Sequence, residues 1–240
     1  GKVFEVTTAN QIVALSQETG QTLWSHESFE ENARFLSNGS PAVQAGVVIA
    51  PFSSGEVVAL DEGTGRLLWT ATIARSTRMN ALSNLNDIAG SPAIDRGAVF
   101  AVSHSGPMTA IDARTGQVVW EVPIGGLNMP WVSGEYIFVI SVDGQLVALS
   151  RQDGAVVWTQ ELPSYENMKK KKNPITWTGP VLAGNHLILA SSQGRLVQIS
   201  PEDGIIVNEH KLEAPTTIPP VVAQGTVFVI NEKARLEAWR

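Results

Sequence analysis

The 240-residue sequence contains no cysteine, which excludes disulfides and thiolate metal sites. Charge is sparse: 17% of residues are Asp, Glu, Lys or Arg against 43% hydrophobic, which excludes a disordered chain. Positive charge is in deficit, and the formal net charge of −6 argues against general nucleic-acid binding, which requires a basic face. No run approaches the roughly 18 apolar residues of a membrane-spanning helix. No signal peptide opens the chain, which starts at Gly1. Helical periodicity is absent throughout, so almost no helix is expected. No phosphate-binding Walker loop or dinucleotide fingerprint occurs.

What the sequence does hold is a repeat. Four segments superimpose without a gap on Pro41, Pro92, Pro130 and Pro180. Each carries a glycine fourteen residues on (Gly55, Gly106, Gly144, Gly194) and another at twenty-four (Gly65, Gly116, Gly154, Gly204). Four further on stands Trp69, Trp120 or Trp158, with Asn208 in the last copy. A partial copy at the start supplies Gly20 and Trp24, and another begins at Pro220.

Apolar β-branched runs such as Val47–Pro51 and Val57–Asp61, bounded by turn residues, read as buried strands. Ser54-Gly55 and Asp143-Gly144 suit tight hairpins, and a second turn precedes Leu67–Ala71. With a short strand near Pro41, one repeat is four antiparallel strands, A to D. The expected fold is therefore all-β: a β-propeller of four-stranded antiparallel blades, forming a partial ring of about five to six blades. The expected organisation is one domain over 1–240, with repeats near 1–38, 39–89, 90–128, 129–177, 178–217 and 218–240. Gly1 aligns with Gly46, so the first copy lacks strand A, and the last lacks strand D; missing N-terminal blades are expected. The recurring tryptophans could stack on a flat ligand or wedge between blades. Their fixed repeat position favours the wedge.

Between Trp and the next Pro the spacing varies, at 17, 23, 10 and 22 residues. Insertions in repeat proteins gather on one face, often the binding face, here the face of the B–C hairpins. The long connections are Ser25–Ser40, Thr70–Ser91 and Thr159–Gly179. The first contains Phe29, Phe35 and Leu36, and the second contains Met79, Leu82, Leu85 and Ile88. Such residues either tuck back over the blade edge or form an exposed contact patch. The third contains Lys169 to Lys172, a run that can attract phosphate or acidic headgroups; in an acidic chain with no neighbouring basic cluster the residues favour a solvated loop tip.

Catalytic chemistry is thin. His26, His104, His186 and His210 fall in separate repeats without metal-ligand spacing, and no metal is expected. His104 between Ser103 and Ser105 reads as a polar hairpin tip rather than a Ser–His pair. Asp61 and Asp112 share a position taken elsewhere by Ser16, Ser150 and Ser200, which indicates turn capping rather than acid–base work. Asn38-Gly39-Ser40 matches a glycosylation sequon.

The segments Ala59–Trp69 (ALDEGTGRLLW) and Ala110–Trp120 (AIDARTGQVVW) resemble the tryptophan-docking repeat of pyrroloquinoline-quinone (PQQ) propellers. Leu85–Pro92 (LNDIAGSP), and the run from Pro92 to the C-terminus, resemble the BamB-like outer-membrane assembly lipoproteins of that superfamily. The resemblance implies an eight-bladed ring and a non-enzymatic periplasmic scaffold without cofactors. It implies a lipid anchor to the outer membrane, in the missing N-terminus, and binding to the POTRA domains of a BamA-like partner. In that family two adjacent inter-blade loops make the contacts, one with a Leu-x-Leu-Arg element and one with an acidic Asp-x-Asp. Here Asp87 keeps the first acid and Ala89 replaces the second; the other loop reads Ala33-Arg34-Phe35-Leu36. The implied partner-binding residues are Arg34, Phe35, Leu36, Leu85 and Asp87. The rivals on the same ring are a PQQ-dependent quinoprotein dehydrogenase and a ligand-sensing propeller domain.

Overall fold

A computed structural model describes residues 1–28, 39–73, 88, 90–104, 106–167 and 169–240. It divides into two compact units, Gly1–Pro130 and Trp131–Arg240. No helix occurs among the described residues.

The first unit holds three antiparallel sheets. One contains β1 (Lys2–Val6), β2 (Gln11–Ser16) and β3 (Thr22–Glu27) in chain order. The next contains β4 (Ala42–Gln44), β5 (Val47–Pro51), β6 (Glu56–Asp61) and β7 (Leu67–Thr72). The third contains β8 (Ala93–Asp95), β9 (Ala98–Val102), β10 (Met108–Asp112) and β11 (Val118–Val122). The second unit repeats the pattern with β12 (Trp131–Ser133), β13 (Tyr136–Ile140), β14 (Gln145–Ser150) and β15 (Val156–Glu161). A separate hairpin of β16 (Tyr165–Asn167) and β17 (Lys172–Pro174) follows. Then come β18 (Trp177–Ala183), β19 (His186–Ser191), β20 (Arg195–Ile199) and β21 (Ile206–Lys211). The last sheet has β22 (Val221–Ala223), β23 (Thr226–Ile230) and β24 (Leu236–Trp239). Strands A to D of the sequence repeat are thus found at the expected places. The β16–β17 hairpin lies inside Thr159–Gly179, where the sequence suggested only a loop.

The β4–β7 and β18–β21 sheets are each covered on both faces, so their strands B and C read as unbroken apolar runs. Alternation along the strand sends Val48, Ala50, Val58 and Leu60 toward the first sheet, where they pack with Ile12 and Phe52. Ile49, Val57 and Ala59 point the other way, against Val99, Ala101 and Ile111. In the second unit Phe138, Leu146 and Ala148 meet Leu187, Leu189 and Val197 in the same manner. Each of these valines, leucines and isoleucines contributes about 1.5–3 kcal/mol on burial.

The tryptophans lock neighbouring sheets together. Trp24 Nε1 donates to the Glu62 carbonyl at 3.1 Å, and its ring lies so close to Gly65 that a Cβ there would come within 2.7 Å. Trp69 repeats this with the Ala113 carbonyl (2.9 Å) and Gly116, and Trp158 with the Pro201 carbonyl (3.0 Å) and Gly204. The repeat therefore couples two sites in adjacent sheets: an indole at the end of one and a bare turn in the next. This is the wedge expected from the sequence.

A feature the sequence did not announce accompanies each of these tryptophans. The pairing of strands C and D slips by one residue, so Leu23, Leu68, Val119, Val157 and Val207 are bulged out of the ladder. All five are exposed. A bulge twists the outermost strand and blunts its free edge against pairing with another chain.

Candidate partner-binding face

The D-to-A connections leave each sheet beside its B–C hairpin, because the residue after strand D donates back to that hairpin. The bonds are Ile73 N to the Gly55 carbonyl (2.9 Å), Leu162 N to Gly144 (2.9 Å) and Leu212 N to Gly194 (2.8 Å). Ser28 N reaches Asn10 in the first sheet at 3.0 Å. Connections and hairpins thus share one face of each sheet, as alternating strand direction required.

Arg34, Phe35, Leu36, Leu85 and Asp87 lie outside the described residues. On the first connection, the Ser28 hydroxyl bonds the Glu56 carboxylate, which also accepts from Ser54 Oγ at 3.0 Å. On the second, Ile73 and Ile88 sit 3% and 1% exposed in one cluster with Ile49, Ala71 and Val99. Of the four apolar residues flagged between Met79 and Ile88, Ile88 is therefore one that tucks back.

The two connections meet where they return to their sheets. Ser40 N donates to Ser91 Oγ at 2.9 Å. A Cβ on Gly39 would come 2.6 Å from the Gly90 carbonyl oxygen, and one on Gly90 would come 2.8 Å from that of Asn128. Three successive connections thereby come into close backbone approach at Gly39, Gly90 and Asn128. The adjoining hairpins are joined as well: Asn10 Oδ1, fully buried, accepts from Ser53 N and Ser53 Oγ, both at 3.0 Å.

The repeated carboxylates work as turn caps. Asp61 Oδ1 accepts from Thr64 N (2.8 Å) and Thr64 Oγ1 (2.7 Å), and Asp112 does the same with Thr115 at 2.8 Å for each bond. The threonine hydroxyl, then its backbone N–H, holds each carboxyl below the ordinary range. Asp153 and Asp203 are lowered in turn by the hydroxyls of Ser150 and Ser200. None of these is placed as an acid–base pair.

Two of the histidines come together. His186 and His210 line one cleft of about 280 Å³ with Gln198 and Trp239, and the His210 ring lies 5.0 Å from that of Trp239. Among the described residues no three His, Asp or Glu side chains are grouped to hold a metal.

Sequence reasoning missed the neighbourhood of Trp177. Its Nε1 donates to the Pro163 carbonyl at 2.9 Å, and the Arg195 guanidinium lies 5.5 Å from the ring centre. Arg195 also grips Glu209 with two bonds of 2.6 and 2.7 Å, which raises the arginine and lowers the carboxyl. Beside this pair a cavity of about 450 Å³ opens between Tyr165, Ile175, Gln193 and Lys211. The available signal was a tryptophan three residues before the repeat proline Pro180, off the recurring position.

Residues 1–160 and 164–239 match the family described as outer membrane protein assembly factor BamB. The BamB of Yersinia pestis is 30% identical over 128 residues, which is 53% of this chain and 33% of that protein. The matched stretch thus spans a third of that relative's length. The crystal structure of BamB from Moraxella catarrhalis superimposes with a TM-score of 0.88 at 21% identity, covering all of this chain and 69% of that one. A quinohemoprotein alcohol dehydrogenase from Pseudomonas putida gives a TM-score of 0.66 at 16% identity, over 92% of this chain and 41% of that one. These structural likenesses establish the β-propeller fold.

Proposed function

The chain belongs to the outer membrane protein assembly factor BamB family, and on that premise we propose that it is a non-enzymatic scaffold of outer-membrane β-barrel assembly. It acts at the periplasmic face of the outer membrane and binds the POTRA domains of a BamA-like partner through the connections before Pro41 and Pro92. The observation that carries this reading is the joined base of those connections, with Ser40 bonded to Ser91 and Gly39 against Gly90. A joined base brings the ends of two connections to one place, which lowers the ordering cost of a recognition that uses both. Phe35 and Leu36 supply the apolar anchor, Leu85 extends it, and Asp87 with Arg34 sets the register.

A quinoprotein reading shares the fold but not the fit. The sequence offers no cysteine pair, and Trp24, Trp69 and Trp158 are engaged in joining sheets rather than free to stack on a quinone. Immobilised POTRA domains should retain the 240-residue chain, and Asp87→Arg or Phe35→Glu should weaken retention. A wild-type chain that is not retained would remove the partner assignment and leave the fold untouched. Titration with quinone and Ca2+ should give no active complex; turnover would replace the scaffold reading with an enzyme.

A further inference from the structure

We propose that the β16–β17 hairpin is an arm that contacts an anionic phospholipid surface through Lys169, Lys170, Lys171 and Lys172. It is the only run of consecutive basic residues in the sequence, and all four lysines are exposed. Among the described residues none of the four takes part in an ion pair. Without them the formal charge of −6 would become −10, so the run is a local exception on an acidic chain.

The arm that carries the run is fixed to its sheet. Tyr165 pairs with Pro174 and Asn167 with Lys172, while Asn167 Oδ1 caps Lys170 N at 3.0 Å and Asn173 Nδ2 donates to Glu166 at 2.6 Å. At the base, Ile175 N bonds the Ser164 carbonyl (2.9 Å), Trp177 bonds that of Pro163, and Gln193 Nε2 reaches the Pro174 carbonyl at 3.3 Å. Ile175 is buried in the core of the second unit. The lysines therefore ride on a positioned hairpin rather than on a long open loop.

Their arrangement selects the partner. Successive side chains through a turn and into a strand point to different sides, and Lys171 adopts a left-handed φ of 47° in the turn while Asn173 has one of 55° within β17. A rigid acidic protein surface would meet only one side of such a tip. A fluid layer of headgroup phosphates can gather around all of it. Lysine suits this role, being a compact point charge without the planar fork that arginine uses for fixed geometry. Near an anionic bilayer each lysine strengthens partitioning about fivefold, so the four together contribute roughly several hundredfold. This contact is independent of the partner reading above.

The test is flotation of the 240-residue chain with phosphatidylcholine vesicles containing phosphatidylglycerol, compared with phosphatidylcholine alone. Wild type should float with the anionic vesicles only, and less so as salt is raised. The variant with all four lysines changed to glutamine should lose binding by roughly several hundredfold while keeping its circular dichroism. Equal flotation by wild type and variant, or none by wild type, overturns the proposal. Displacement by inorganic phosphate beyond that by chloride of equal ionic strength would instead indicate a discrete phosphate site. Binding to polyglutamate as tight as to the anionic vesicles would point to an acidic protein, and either result overturns the lipid assignment.

Discussion

The contact between Trp69 and Gly116 can be tested by changing both ends of it. Trp69 is 8% exposed and bonds the Ala113 carbonyl, so Trp69→Ala should cost about 3–5 kcal/mol. Gly116→Ala carries two penalties. Its φ of +74° is left-handed, which costs an L-residue about 1–2 kcal/mol. The new methyl would also sit 2.8 Å from Trp69 Cγ and Cδ2, an overpacking worth about 1–3 kcal/mol. Removing the indole relieves the contacts with Cγ and Cδ2 but leaves Trp69 Cβ at 2.9 Å, so in the Trp69→Ala background the backbone penalty and part of the overpacking remain. The double-mutant cycle should therefore show a coupling that is measurable but below the full overpacking of about 1–3 kcal/mol. Urea unfolding followed by far-ultraviolet circular dichroism reads it, since the fluorescence of Trp69 is lost in two of the variants. If Gly116→Ala costs the same in both backgrounds, the two repeat positions are not physically coupled and this account of the repeat is wrong.

Other outcomes follow from the same geometry. Asn10→Ala should destabilise by about 1–3 kcal/mol, because the buried Ser53 N–H loses its acceptor; melting temperature reports it. Asp61 and Asp112 have lowered carboxyl pKa values, so their contribution is present above the unfolded value of about 3.9 and is lost as pH falls through the folded one. Stability measured from neutral pH into acid should therefore fall less steeply in the Asp61→Asn, Asp112→Asn double variant. A cycle on Arg195 and Glu209 should give a coupling of no more than about 1 kcal/mol, because both side chains face solvent; several kilocalories would mean that the pair organises the hairpin base.

Much of the fold was legible because the repeat reports it. Runs such as Val47–Pro51 and Glu56–Asp61 are apolar on both faces, and glycine sits where the backbone must turn. The inter-sheet tryptophan could be inferred from recurrence alone, since a ligand site would break the symmetry. The outer-strand bulge could not, because Leu68 and Val119 look like ordinary strand residues beside their tryptophans. The β16–β17 hairpin escaped notice for a different reason. Its strands are three residues each, polar and without alternation, and they are held by Ile175 and Trp177 at the base. At the candidate site, the sequence marked which connections differ, but contact between them is a tertiary fact. Nothing in Gly39-Ser40 or Gly90-Ser91 read alone says that the two pairs touch.

The claim that function lies in those two irregular connections has a direct measurement. Residues 29–38 and 74–87 are replaced by glycine–serine linkers of equal length, leaving Ile88, Gly39, Ser40, Gly90 and Ser91 in place. Binding of the purified chain to POTRA domains is then measured by titration, with circular dichroism as the check on folding. The account predicts that the folded double replacement loses binding while wild type retains it. A folded replacement that binds as tightly as wild type would place the interface elsewhere on the propeller.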